Sequence, residues 1–187
     1  KQCEQLLPKD IEFHLFASNK SAGETLKINN QDVVIKELNS KNIGKYDIAL
    51  FSAGGERSKA FAESFIAQGS YVIDNSSVFR QQEDIPLVVY GINEHEITST
   101  SKLIANPNCT TMGLVMALKP LHDAFKLVSM TPVAYQAVSG SGTAAVNSLK
   151  EEEALDHESL KDYKDGYYPR PIARNVIPLA GNLLDNE

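Results

Sequence analysis

The stretch YDIALFSAGGERSKAFAESFIAQGSYVID, residues 46–74, decides the fold. It opens on a nearly all-apolar run, Tyr46 to Phe51, and passes through Ser52-Ala53-Gly54-Gly55 into a segment with Ala60, Phe61, Phe65 and Ile66 at helical spacing. Gly69 marks a helix stop, and Tyr71-Val72-Ile73-Asp74 is a second apolar strand. Strand, glycine turn, helix, strand is a βαβ unit, and continuous apolar strands predict a parallel sheet covered on both faces. The helix is expected over Ser58 to Gln68.

The same rhythm extends outward. Ile11 to Phe16 and Asp32 to Ile35 read as strands upstream, Leu87 to Val89 and Lys102 to Ala105 as strands downstream. Before them CEQLL is helical text ended by Pro8. A helix ending at Phe125 leads to an alternating strand over Leu127 to Val138, then Ser139-Gly140-Ser141-Gly142 and a helix to about Leu155. Glu151-Glu152-Glu153 reads as a solvated helix face. Ligands in open parallel sheets sit beyond the carboxyl ends of the strands, which directs attention to Ser18–Gly23, Ser52–Gly55, Asn75–Arg80 and Asn106–Thr111.

Composition narrows the partners. The chain has 187 residues, 24 acidic against 18 basic side chains and a formal charge of −6, with no basic cluster, which argues against nucleic acid. No apolar run approaches the ~20 residues that span a bilayer, so no membrane partner is expected. Two cysteines, Cys3 and Cys109, are too few for a disulfide scaffold or a zinc site, so no metal is expected and a reduced, cytoplasmic setting is.

Asn106-Pro107-Asn108-Cys109-Thr110-Thr111 carries the strongest chemical signal. Pro107 disfavours helix at Asn106, Asn108 suits an N-cap, and an apolar-rich helix follows, which puts Cys109 at a helix N-terminus. Such a position favours a thiolate nucleophile, although a free cysteine is equally at home as a small buried hydrophobe. None of the four histidines offers itself as its base: His122 is 13 residues along the same helix, roughly 20 Å away, His14 lies mid-strand, and His95 and His157 lie in polar text. Ser52-Ala53-Gly54 allows close backbone approach to a dinucleotide, and Lys20 with Ser21 suits a phosphate, as would a plain surface loop. Arg80 is a lone cation at a strand end, either an anion grip or a surface residue.

In order along the chain, ALFSAGG (49–55), VIDNSSVFR (72–80), DIPLVV (84–89), IANPNCTTM (104–112), LKPLHD (118–123), YQAVSGSG (135–142) and PIARNVIP (171–178) resemble the aspartate-β-semialdehyde dehydrogenase family over essentially the whole chain. The resemblance implies an α/β fold: a Rossmann-like parallel sheet lacking its first strand and GATGxVG turn, followed by the start of an α+β substrate domain. It places a dinucleotide-binding domain over residues 1–108 and a substrate and dimerisation domain over 109–187, an internal portion lacking both family ends. It implies NADP-dependent interconversion of aspartate semialdehyde and β-aspartyl phosphate, toward lysine, threonine, methionine and isoleucine, in a homodimer or homotetramer.

By position Cys109 resembles the thioester-forming nucleophile, Gln136 the glutamine that contacts the acyl substrate, and Arg80, with Asn108 beside the nucleophile, the phosphate holder. Lys20 and Ser21 fall on the family's 2′-phosphate clamp, Ser52, Ala53 and Gly54 on the adenosine-side loop, and Ser139 and Gly140 on the nicotinamide-side turn. Lys20 replaces a usual arginine, keeping charge but losing the planar fork that favours NADP. The family's catalytic histidine lies beyond Glu187, so this chain by itself is expected to show no turnover. The rival readings are N-acetylglutamyl-phosphate reductase, whose nucleophile motif reads G-C-Y where this chain reads Asn108-Cys109-Thr110, and a non-catalytic relative that keeps the fold only.

Overall fold

The computed structural model describes residues 10–178, so the expected helix around CEQLL, and Cys3 with it, lie outside the described residues. The chain divides into two compact units, Lys1–Ser129 and Met130–Glu187.

In the first unit, β4 (Ile48–Phe51), β5 (Tyr71–Asp74) and β6 (Leu103–Ala105) form a wholly parallel sheet in the order β4-β5-β6. Helix α1 (Gly55–Ala67) supplies the crossover between β4 and β5. It begins three residues before the expected Ser58, because Gly54, at φ +89°, turns the chain directly from strand to helix. The helix stops at Gly69, φ +98°, as expected. Alternate residues of the sheet, Ala49, Phe51, Val72, Asp74 and Ala105, are buried on one face, and Ala62 and Phe65 of α1 join them in the core. Phe65 is the hub: its ring meets those of Phe51 (5.4 Å between centroids), Phe16 and Tyr46 (both 5.9 Å).

Burial on both faces is not observed. Ile48 and Leu50 are 60% and 75% exposed, because α1 covers one face and the other has no described cover. Lys102 lies over the ring of Tyr71, the first residue of β5, 3.7 Å from its centroid.

A second, mixed sheet has the order β1-β3-β2. Strand β1 is Leu15–Ala17, shorter than the expected Ile11 to Phe16, and pairs in parallel with β3 (Gln31–Glu37). Strand β2 (Thr25–Ile28), absent from the sequence reading, pairs antiparallel with β3 through Asn29 and Asn30. Both asparagines have positive φ, 49° and 62°, the geometry of a two-residue type I′ hairpin that asparagine tolerates. The expected strand Leu87 to Val89 is reduced to a single parallel bridge between Leu87 and Ala105. The Asn93 side chain takes the Val89 N–H (2.8 Å) and the Leu87 carbonyl (2.9 Å), groups a longer ladder would need, and Pro86 has no N–H to give.

Helix α2 (Cys109–Phe125) closes the first unit and buries none of its residues. Leu127 to Val138 forms no ladder: Leu127–Ala137 is neither helix nor strand, and Val138 opens a 3-10 turn. Alternation predicts an extended chain, but a strand needs a neighbouring backbone, and no described strand pairs with it.

The second unit's described residues hold the 3-10 turn Val138–Ser141 and helices α3 (Thr143–Glu153) and α4 (His157–Lys161). Its anchor overturns the reading of Glu151-Glu152-Glu153 as a solvated face. Glu151 and Glu153 are exposed, but Glu152 is wholly buried. Its Oε2 accepts the Ile172 (2.6 Å) and Ala173 (2.8 Å) backbone N–H groups, and its Oε1 accepts the Ser148 hydroxyl (3.1 Å). The carboxylate clamps the 166–173 segment onto α3.

Candidate active site

Because β4, β5 and β6 run parallel, their carboxyl ends lie on one side of the sheet. Three segments therefore meet there: Ser52–Gly54, Asn75–Arg80 and Asn106–Cys109. They are cross-linked. The Asn75 N–H donates to the Phe51 carbonyl at 2.9 Å, the Asn106 N–H to the Asp74 carbonyl at 2.8 Å, and the Asn106 side-chain amide to Asn75 Oδ1 at 2.7 Å.

Cys109 is exposed and is the first residue of α2. Asn108 caps that helix: its Oδ1 accepts the Thr110 N–H at 2.9 Å and lies 3.9 Å from the Cys109 Sγ. The exposure of Cys109 does not match its reading as a small buried hydrophobe. The sulfur stands where unpaired helix N–H groups face solvent, which suits attack on a carbonyl and stabilisation of the resulting oxyanion.

Arg80 is half-buried and staples two of the three segments. Its Nε donates to the Asn106 carbonyl and its Nη2 to the Asn75 carbonyl, both at 2.9 Å. A guanidinium carries five N–H donors, so about three remain for an anion. A concavity of about 380 Å³ beside Arg80 is walled by Gln81, Gln82, Glu83, Asn93 and Glu96. Its two carboxylates make it a poor seat for an anion.

Ser52, Ala53 and Gly54 are exposed, and a Cβ added at Gly54 would meet no atom within 4 Å. The loop thus leaves open space beside the N-terminus of α1, where backbone N–H groups and the helix dipole favour a phosphate or diphosphate. Lys20 is exposed and Ser21 half-buried, in a turn after β1 closed by the Ser21 and Ala22 N–H groups on the Ser18 carbonyl (3.1 and 3.2 Å). Lys20 ion-pairs with no described acid, so its charge is available to an anion.

In the second unit, Gln136 is exposed and outside any helix or strand, and Ser139 and Gly140 lie in the turn that leads to α3. The Tyr168 hydroxyl donates to Ser141 Oγ of that turn at 2.9 Å, which ties it to the segment clamped by Glu152.

His14 is not mid-strand as expected but directly precedes β1, which begins at Leu15, and His95 and His157 lie in polar segments as expected. His14 tilts against Tyr46 at 4.8 Å and lies 3.2 Å from a Glu12 carboxylate oxygen, while His95 and His157 are exposed. His122 lies in the last turn of α2, the helix that starts at Cys109. Of the polar residues that join the segments, the sequence reading singled out neither Asp74 nor Ser58, while Ser76 and Asn106 fell inside the highlighted segments without a role of their own. A carboxylate closing an otherwise apolar strand, followed by Asn75-Ser76-Ser77, was the signal present for Asp74.

Residues 5–100 match the family model described as semialdehyde dehydrogenase, NAD binding domain, and residues 118–187 the semialdehyde dehydrogenase dimerisation domain. Aspartate-semialdehyde dehydrogenase of Streptomyces akiyoshiensis is 45% identical over 186 residues, a match covering 94% of this chain and 54% of that protein. The crystal structure of aspartate semialdehyde dehydrogenase II from Vibrio cholerae superposes with a TM-score of 0.80 at 36% identity, over 98% of this chain and 55% of that one. The Vibrio cholerae enzyme complexed with ASA gives a TM-score of 0.58 at 41% identity, over 65% of this chain and 40% of that one. The chain spans about half the length of the curated relatives it matches.

Proposed function

This chain belongs to the aspartate-semialdehyde dehydrogenase family, with a Rossmann-like dinucleotide-binding domain, and on that premise we propose that the protein carrying it interconverts L-aspartate 4-semialdehyde and L-4-aspartyl phosphate through a thioester on Cys109. The observation that carries the reading is the exposed Cys109 at the N-terminus of α2, one short segment from the Arg80 staple.

In the direction of aldehyde formation, the Cys109 sulfur attacks the acyl carbon of the aspartyl phosphate. A C–S bond forms, the C–O bond to phosphate breaks, and phosphate leaves with that electron pair. Arg80 offers its remaining N–H groups to the phosphate, and the N–H groups at the start of α2 hold the developing oxyanion. Gln136 orients the substrate without a competing charge. Splitting the reaction at the thioester replaces one difficult displacement by two easier steps. When bound, NADP(H) exchanges the hydride that relates the thioester to the aldehyde.

Ser52, Ala53 and Gly54 hold the adenosine side of the dinucleotide in this reading, and Ser139 and Gly140 the nicotinamide side. Lys20 and Ser21 take its 2′-phosphate, which supports NADP over NAD. The functional halves are 1–108 and 109–187, acting within a cytoplasmic homodimer or homotetramer on the route to lysine, threonine and methionine.

The test uses the full-length gene product. Phosphate-dependent reduction of NADP by aspartate semialdehyde is expected, and Cys109→Ala should lower it by about 10⁴-fold or more, as loss of a nucleophile does. Residual turnover above about a hundredth of the parent rate would remove Cys109 from the mechanism. Preference for N-acetylglutamate semialdehyde would move the substrate assignment to the rival reductase.

A further inference from the structure

Asp74 ends β5 and is wholly buried, yet none of its side-chain partners is a cation. Its Oδ1 accepts the Ser58 hydroxyl at 2.5 Å; its Oδ2 accepts the Ser76 hydroxyl at 2.6 Å and the Ser76 N–H at 3.2 Å. A buried carboxylate is expensive to desolvate, and an apolar residue would serve packing alone at least as well. The partners indicate what the acid does instead.

Ser58 lies in the first turn of α1. Its N–H donates to the Gly54 carbonyl at 3.1 Å, and its hydroxyl, whose one proton goes to Asp74 at the shorter distance, lies 3.3 Å from the same carbonyl, so one carboxylate oxygen fixes the Ser58 side chain against the end of the Ser52–Gly54 loop. Ser76 Oγ in turn accepts the Val78 N–H at 3.3 Å, so the other oxygen governs the turn that delivers Arg80. The Asp74 carbonyl also accepts the Asn106 N–H, next to the Cys109 segment.

We propose that Asp74 is a positioning residue that sets the dinucleotide-side loop and the phosphate-side loop in register through Ser58 and Ser76. This assignment rests on the functional reading above and deepens it. Each carboxylate oxygen serves one loop, so the two serines separate the effects. Asp74 touches neither ligand.

The experiment measures KM for NADP and for phosphate in the full-length protein. Ser58→Ala should raise KM for NADP by about threefold and leave that for phosphate unchanged; Ser76→Ala should do the reverse. Asp74→Asn, which keeps the shape but cannot accept at both oxygens, should raise both by about tenfold. Direct titration of NADP binding should repeat the NADP half of the pattern. A melting temperature that falls while both KM values stay within about twofold of the parent would mark Asp74 as structural only and overturn the proposal. If Asp74→Asn does not fold, the serine pair decides: equal effects on both ligands, or none, overturn it. An inactive parent protein would instead refute the functional reading before any variant is compared.

Discussion

Among the described residues the two units each bury one carboxylate completely, Asp74 in the first and Glu152 in the second, and each satisfies it with hydroxyl and amide donors instead of a cation. Their surroundings differ. Asp74 stands at a strand's carboxyl end and reaches two loops that carry candidate site residues. Glu152 stands on a helix and pulls a later segment of chain, Ile172 and Ala173, onto that helix. The same chemical device is used once to place a site and once to close a fold.

That distinction can be broken. Glu152→Ala leaves the Ile172 and Ala173 N–H groups and the Ser148 hydroxyl without their acceptor, at about 1–3 kcal/mol for each group that stays buried. The largest effect is therefore expected here: a marked fall in melting temperature and faster hydrogen exchange at those two amides, with KM for phosphate unchanged. A change in that KM as large as the one expected for Asp74→Asn would erase the difference between the two carboxylates.

A matched pair of glycine substitutions sharpens it. A Cβ at Gly166 would lie 2.8 Å from Glu152 Oε1 and 3.4 Å from Ser148 Oγ, inside the clamp. Gly166→Ala should destabilise by about 1–3 kcal/mol through overpacking. A Cβ at Gly55 meets Val78 Cβ at an ordinary 3.5 Å, and Gly55→Ala should lie within about 1 kcal/mol of neutral. Urea denaturation of both variants reads the contrast, and equal losses would contradict it.

The smallest effect concerns pH at the edge of the second unit. Asp156 caps α4, and the hydrogen bond from the Ser159 backbone N–H (2.8 Å) holds its carboxyl below the ordinary range. A lowered folded pKa stabilises above the unfolded value of about 3.9 and loses that contribution as pH falls through the folded value. The Ser159 amide signal, followed by NMR on acidification, should therefore titrate with a midpoint below about pH 3.9; a midpoint above it would contradict the cap.

What was legible in the chain was local. Asn108 and Cys109 announced their cap and helix start because an N-cap depends on a few adjacent residues. Gly69 announced the end of α1 for the same reason. The hairpin at Asn29-Asn30 was equally local and was passed over, since neither residue is the glycine that usually marks such a turn. The strand expected over Leu127 to Val138 failed for a different cause: alternation describes one chain, whereas a ladder belongs to two.

The sequence alone therefore determined the βαβ rhythm, the helix that begins at Cys109 and the family, because periodicity, capping and ordered motifs are written in neighbouring residues. Tertiary structure decided the partners. Arg80 became a staple between the Asn75 and Asn106 carbonyls, Glu152 left the solvated face for the interior, and Asp74 came to join Ser58 to Ser76. Arg80 bonds across 26 residues, Asp74 across 16 and Glu152 across 20 or 21. Which donor reaches a buried acid is settled by strand order and helix docking, and no local pattern encodes that distance.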